Sequence, residues 1–383
     1  MRSFPIDKFQ RLQTPFYYYD KALLDQTLET IVTEAGKYEG FRVHYAVKAN
    51  VDPGVLQIVR RSGIGCDCVS GGEIRACLNA GFAPSKIVFA GVGKADWEIN
   101  LGLEAGIACF NVESVPELDV INELAARLGL TANIAFRVNP NVDAHTHKYI
   151  TTGLAENKFG ISMEQLDDVI THALELKHVN LIGLHFHIGS QLLELEPYAM
   201  LCKRINDLQD RIEQRGIQLK TINVGGGLGV DYVNPDEHPV PDFATYFATY
   251  HEHLKLRPGQ ELHFELGRAV VCQCGSLISR VLYVKEGVNK KFVILDAGMS
   301  DLIRPALYGA HHKIEVLTAD PEGATERYDV VGPICESSDC FGTDEVLPVA
   351  HRGDLVALRS AGAYGQIMAS QYNCRAIPES IIL

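Results

Sequence analysis

The chain has 383 residues, 46% of them hydrophobic and 22% charged, the composition of an ordinary globular protein long enough for two domains with cores of their own. Its 35 Lys+Arg against 48 Asp+Glu leave a net charge of −13, which argues against a general nucleic-acid binder and against docking on anionic membrane. No run of 18 apolar residues offers a membrane span, the Met1–Lys8 start lacks a secretory core, and ten cysteines lie scattered without C-x-x-C pairs, so a reduced, cytoplasmic protein is expected.

From the N-terminus, Pro15–Asp20 is strand-like. Eight short apolar runs follow: Val43–Val47, Gly65–Val69, Ile87–Ala90, Ala108–Val112, Ile134–Val138, Leu181–Ile188, Thr221–Val224 and Leu262–Glu265. Between them the apolar residues recur at helical period, over Val55–Arg61, Glu73–Ala80, Trp97–Glu104, Pro116–Leu128, Met163–Leu176, Tyr198–Gln214 and Phe243–Leu254. Ser70 and Ser114 each stand three residues ahead of a glutamate, the signature of a helix cap. Strands alternating with helices in this way predict a (β/α)8 barrel over residues 30–268, with a doubly wound sheet as the less regular alternative. Asn139–Gly160 is too long and polar for a routine barrel link and reads as an active-site lid. Over 269–383 the texture changes to β-branched runs punctuated by Gly and Pro: Val270–Tyr283, Lys291–Asp296, Lys313–Leu317, Tyr328–Val331 and Asp354–Leu358. They predict a mostly-β C-terminal domain, joined by a strand from residues 1–29.

A barrel of this kind works at the carboxyl ends of its strands. Those ends carry Lys48, Asp67 and Ser70, Asn111 and Glu113, Arg137 and Asn139, His187, Gly225-Gly226-Gly227, and Glu265 with Arg268. Lys48 reads in two ways: desolvated at an apolar strand end and primed to form a Schiff base, or snorkelling to water. The glycines give either bare amides for a phosphate or a flexible turn. Glu265 is either a partner for a pyridine nitrogen, with Gly267 and Arg268 completing a phosphate cup, or half of a structural ion pair. His185 and His187 share a strand face, but an amine beside a glycine-rich cup does not suit a metallohydrolase, and no metal is expected. His145/His147, His251/His253 and His311/His312 are assigned to loops or exposed faces. Outside the barrel, Cys335-Glu336 reads as inert packing or a working pair, and Arg304 with Tyr308 as a solvent-facing loop or a grip on a carboxylate.

Seven motifs occur in order: Tyr45-Ala-Val-Lys-Ala-Asn50, His187-Ile-Gly-Ser-Gln191, Gly225-Gly-Gly-Leu-Gly229, Glu265-Leu-Gly-Arg268, Arg304-Pro-Ala-Leu-Tyr308, Cys335-Glu-Ser337 and Ala361-Gly-Ala-Tyr-Gly365. Together, from about Thr14 to the C-terminus, they resemble the barrel-type (fold type III) pyridoxal-phosphate decarboxylases, most closely the branch acting on meso-2,6-diaminopimelate. The resemblance implies pyridoxal 5'-phosphate on Lys48, His187 stacked on its ring and Glu265 at its nitrogen. It places Ser190, Gly225, Gly226, Gly227, Gly267, Arg268 and Tyr364 at the phosphate. It gives Arg268, Arg304 and Tyr308 to the substrate's distal carboxylate, Glu336 to its distal amine and Cys335 to reprotonation, with Tyr364 also among the substrate-binding residues. It also implies a homodimer in which Cys335 and Glu336 come from the other subunit. The expected activity is decarboxylation to L-lysine. Decarboxylation of ornithine, arginine or carboxynorspermidine, a racemase on a similar barrel, or a non-catalytic relative are the alternatives. Leu266 departs from the family, which usually has proline there.

Overall fold

The computed structural model describes residues 4–140, 158–320 and 322–383. Most of the expected lid, with His145 and His147, lies outside the described residues. Two compact units emerge. One is formed by Leu28–Gly229 and Asp242–Gly267, the other by the N-terminal stretch to Thr27, Val230–Pro241 and Arg268–Leu383.

The first unit is the predicted barrel. Its strands are β1 (Phe41–Ala46), β2 (Gly65–Cys68), β3 (Ile87–Phe89), β4 (Cys109–Val112), β5 (Ala132–Asn139), β6 (Val179–His185), β7 (Thr221–Asn223) and β8 (Glu261–Leu266). Each pairs in parallel with its sequence neighbour, and β8 returns to β1 with Glu265 opposite His44, which closes the sheet. Helices fill the links where the periodicity places them, from Pro53–Ser62 to Phe243–His253. Their starts are fixed by side chains: the Asp52 carboxylate accepts from Gly54 and Val55, and the hydroxyls of Ser70 and Ser114 accept from Glu73 and Glu117. Outside the sheet, Tyr198, Tyr246, Phe247 and Tyr250 pack edge-on with one another and with Phe264 of β8.

Pleating turns alternate residues of each strand inward. The enclosed core is apolar on one side, with Val88, Cys109 and Ala135, and polar on the other, where His44 Nε2 lies 3.0 Å from His263 Nδ1. One long helix, Lys21–Ala35, precedes β1 and has no counterpart in the sequence reading.

The second unit is a sheet in the order Ile314–Val316, Leu355–Leu358, Gly275–Glu286, Lys291–Leu295, Thr325–Val331, Cys340–Pro348. The N-terminal strand Phe16–Tyr19 joins it, antiparallel to Gly275–Glu286 and parallel to the last strand, Glu379–Ile382. Phe9, Phe16, Tyr18, Ile278, Leu355 and Ala357 form a core there. The motif Ala361–Gly365 has a packing reason: a Cβ on Gly362 would sit 1.9 Å from the Val271 carbonyl oxygen, so only glycine fits.

Candidate active site

Glu265, near the carboxyl end of β8, is only 7% exposed. The neighbouring strands supply its partners. Asn223 Nδ2 of β7 donates to Oε1 at 2.7 Å, Asn111 Nδ2 of β4 donates to the same oxygen at 3.3 Å, and His185 Nε2 of β6 lies 2.9 Å from Oε2. Burial opposes ionisation, but the charge and hydrogen bond of His185, with Lys48 and the Asn223 amide, outweigh it and hold the carboxyl well below its ordinary range. Asp67 of β2 goes the other way: burial and then the Glu265 charge push it well above the carboxylate range, against the pull of Lys48 and Arg137. The two acids are thus driven in opposite directions, Glu265 down and Asp67 up.

His187 is half-buried just beyond β6, and burial followed by the charges of Lys48 and Arg137 pushes it well below its usual value. The result is an uncharged ring. Its Nδ1 accepts from the Gly226 amide at 3.4 Å. The loop that carries Ser190 is stitched to the glycine run, with Leu192 N donating to Gly227 O and Gly229 N to Leu192 O, each at 2.9 Å.

The glycine run is more than a flexible turn. A Cβ on Gly226 would meet the Glu265 carbonyl oxygen at 2.1 Å, and Gly225 and Gly227 have φ of 67° and 108°. Only glycine lets the end of β7 approach β8 so closely. Glu113 and Arg137 pair with each other at 3.1 Å, and Glu113 also accepts from the Gly160 amide at 3.2 Å.

Of the two readings of Lys48, the structure bears out the solvent-facing one. The lysine is exposed rather than tucked at a strand end. The strand stops at Ala46, and Lys48 falls in a single 3-10 turn, Val47–Ala49, whose two apolar residues turn inward while the lysine turns out. Its charge lowers Asp67, Glu73 and Glu265.

The second unit gathers the other cations. Arg268 and Arg304 are both 6% exposed. Arg268 Nη1 donates to the Tyr232 hydroxyl at 2.5 Å and Arg304 Nη2 donates to the same oxygen at 3.2 Å. Arg268 also lies over the Tyr364 ring at 5.0 Å, and Arg304 lies 5.9 Å from the Tyr308 ring centroid. Arg304 Nε donates to His312 Nε2 at 3.3 Å. His312 is 1% exposed, which corrects its assignment to a loop or exposed face: its backbone leaves the helix Arg304–Tyr308, but the ring turns inward to the guanidinium. His251 does lie exposed on its helix, as does His253. Cys335 and Glu336 are exposed, and Glu336 Oε1 accepts from the Tyr372 hydroxyl at 2.7 Å.

The sequence reading missed Tyr232, Asn223 and the role of His185. Asn223 and His185 carried a signal, since each stands two residues before a residue already chosen, on the same strand face. Tyr232 carried none, because its segment, Val230–Pro241, follows the barrel's glycine run in sequence yet belongs to the β unit.

Residues 25–272 match the family model of the pyridoxal-dependent decarboxylase, pyridoxal binding domain. The chain is 67% identical over 376 residues to a diaminopimelate decarboxylase of Bacteroides thetaiotaomicron, covering 98% of this chain and 97% of that one. It is 45% identical to the Pseudomonas aeruginosa enzyme of the same name, over 96% of this chain and 86% of the other. Among solved structures, diaminopimelate decarboxylase from Helicobacter pylori complexed with L-lysine superposes with a TM-score of 0.93 at 41% identity, over 99% of this chain and 93% of that one.

Proposed function

The chain belongs to the pyridoxal-dependent decarboxylases, and from that premise we propose that it converts meso-2,6-diaminopimelate to L-lysine and CO2, the last step of lysine biosynthesis. The observation that carries the choice of substrate is Arg304: a buried guanidinium for which no carboxylate among the described residues serves as an ion-pair partner. A substrate with a second carboxylate satisfies it. Ornithine, which has none at its far end, leaves it unpaired at a cost on the order of several kcal/mol.

The cofactor is pyridoxal 5'-phosphate, and the donor set fits it. Glu265 is an ionised acceptor, His187 an uncharged flat ring, Lys48 an accessible amine, and Gly225–Gly227 a backbone without side chains. When bound, the cofactor supplies a sink for the electron pair that CO2 leaves behind. Lys48 would hold it through its amine. Glu265 keeps the ring nitrogen protonated, with Asn111, Asn223 and His185 holding the carboxylate in place. His187 would supply an uncharged flat surface for its ring. Ser190, the glycine run, Gly267, Arg268 and Tyr364 hold the phosphate. Arg304 and Tyr308, with Arg268 and Tyr364, grip the distal carboxylate. Glu336 takes the distal amine, and Cys335 returns a proton to the carbon that lost CO2.

The working form is a homodimer in the cytoplasm. Cys335 and Glu336 are exposed on their own unit, in keeping with service to a second copy. No helix among the described residues is long and apolar enough to cross a membrane.

The test is direct. Purified protein loaded with cofactor and given meso-diaminopimelate releases CO2 and L-lysine in equal amounts. Preference for ornithine or arginine over diaminopimelate overturns the substrate assignment.

A further inference from the structure

We propose that Tyr232 and His312 are the positioning residues that set substrate specificity, by fixing the Arg304 guanidinium with one edge spent and the other presented to a carboxylate. The inference deepens the reading of Arg304 given above and rests on it.

The guanidinium is held at two of its three nitrogens. Nε donates to His312 Nε2 at 3.3 Å, and Nη2 donates to the Tyr232 hydroxyl at 3.2 Å. Both acceptors are uncharged. His312 Nδ1 lies 2.8 Å from the Arg359 carbonyl oxygen, which can only accept, so the ring proton sits on Nδ1 and leaves Nε2 to receive Arg304. Burial and then the Arg304 charge pull His312 down to about 3, so it stays in this form at neutral pH.

Tyr232 closes the other side. Its oxygen receives Arg268 and Arg304, and Cys272 Sγ lies 3.3 Å from it and 3.0 Å from the Ser360 carbonyl oxygen. Burial raises the phenol well above its ordinary value, so it remains a neutral acceptor.

The physical consequence concerns charge. A carboxylate in the place of His312 or Tyr232 would orient Arg304 equally well, but would cancel its positive charge. Neutral acceptors orient the fork and leave the charge for the ligand. The remaining donors of Arg304 form a preorganised face for a carboxylate, so less entropy is lost when a ligand binds.

The experiment compares two ligands of the holoenzyme, L-lysine and 1,5-diaminopentane, which is the same carbon chain without the carboxylate. Affinities are read as inhibition constants, and kcat and KM for diaminopimelate are measured alongside. Tyr232→Phe keeps the ring and removes the acceptor; L-lysine should bind roughly tenfold more weakly, with 1,5-diaminopentane changed by less than about twofold. KM should rise with L-lysine weakening while kcat holds. His312→Leu should behave the same way, and His312→Gln, which restores an acceptor, should recover most of the loss. If both ligands weaken together, or L-lysine binding is unmoved, the proposal is overturned. Arg304→Gln serves as the control. If it too leaves the ratio of the two ligands unchanged, the carboxylate reading of Arg304 fails, and this inference with it.

Discussion

The charged groups of the barrel and of the β unit are held in opposite senses. At the end of β8 an anion, Glu265, is surrounded by two amides and a histidine; in the β unit a cation, Arg304, is surrounded by a phenol and a histidine. Glu265 is held in part by the charge of His185 and of Lys48, whereas Arg304 meets no carboxylate among the described residues. Glu113 and Arg137 show the contrast, since they pair with each other at 3.1 Å and cancel. A charge meant for a ligand is best oriented by dipoles, because a full countercharge would compete with the ligand for it. A charge meant for the fold is paired.

The comparison can be broken most severely at the tether. Lys48→Ala should lower turnover by at least about three orders of magnitude, and borohydride reduction of the wild type should label the Lys48 peptide alone. Label on any other lysine would remove the barrel from the chemistry. Glu265→Gln keeps the shape and removes the charge; kcat should fall by roughly a hundredfold or more, with substrate KM little changed. A variant whose defect lay wholly in KM would contradict the division of labour between the units.

Cys335→Ala and Lys48→Ala should each be nearly inactive. After subunit exchange the mixture should recover about a quarter of wild-type activity, since half of the dimers are mixed and half of their sites receive neither lesion. A mixture that stays inactive despite exchange seen by mass spectrometry would place both residues in one chain. In the β unit, Arg304→Lys keeps the charge but loses the planar fork. The KM for diaminopimelate should rise on the order of tenfold or more, with cofactor retained and kcat less affected.

The smallest effect is on stability. His44 in the barrel and His312 in the β unit are each drawn down to about 3, both chiefly by burial. Both are neutral in the folded chain and take up protons on unfolding below their ordinary value. Their contribution is complete above about pH 6.5 and is lost as pH falls towards 3. Glu73, raised to about 7 chiefly by burial, works in the opposite sense: its contribution is present below its ordinary value and lost as pH rises through 7. His44→Gln or His312→Gln should each reduce, by about one, the number of protons taken up on unfolding between pH 7 and 4.5, read from the pH dependence of urea midpoints. An unchanged slope in either variant would show that its histidine is charged in the folded chain.

Much of this protein was legible before any coordinates. Alternation of apolar runs with helical periods gave all eight barrel strands, because a parallel strand buried on both faces reads as a continuous apolar run. Polar residues placed at the ends of those runs named Glu265, His187 and the glycine run, since a strand's direction fixes which of its ends carries the site. What required the tertiary structure was every relation between residues distant in sequence. Lys48 turned out of the strand because one 3-10 turn follows Ala46, which local periodicity does not reveal. Glycine at 226 answers to the Glu265 carbonyl, 39 positions away along the chain. Tyr232 and His312 meet Arg304 through a segment that leaves one unit in sequence and folds with the other. Periodicity records which face of an element is apolar; it holds no information on which polar side chain waits across the gap, and that was settled only when the chain closed on itself.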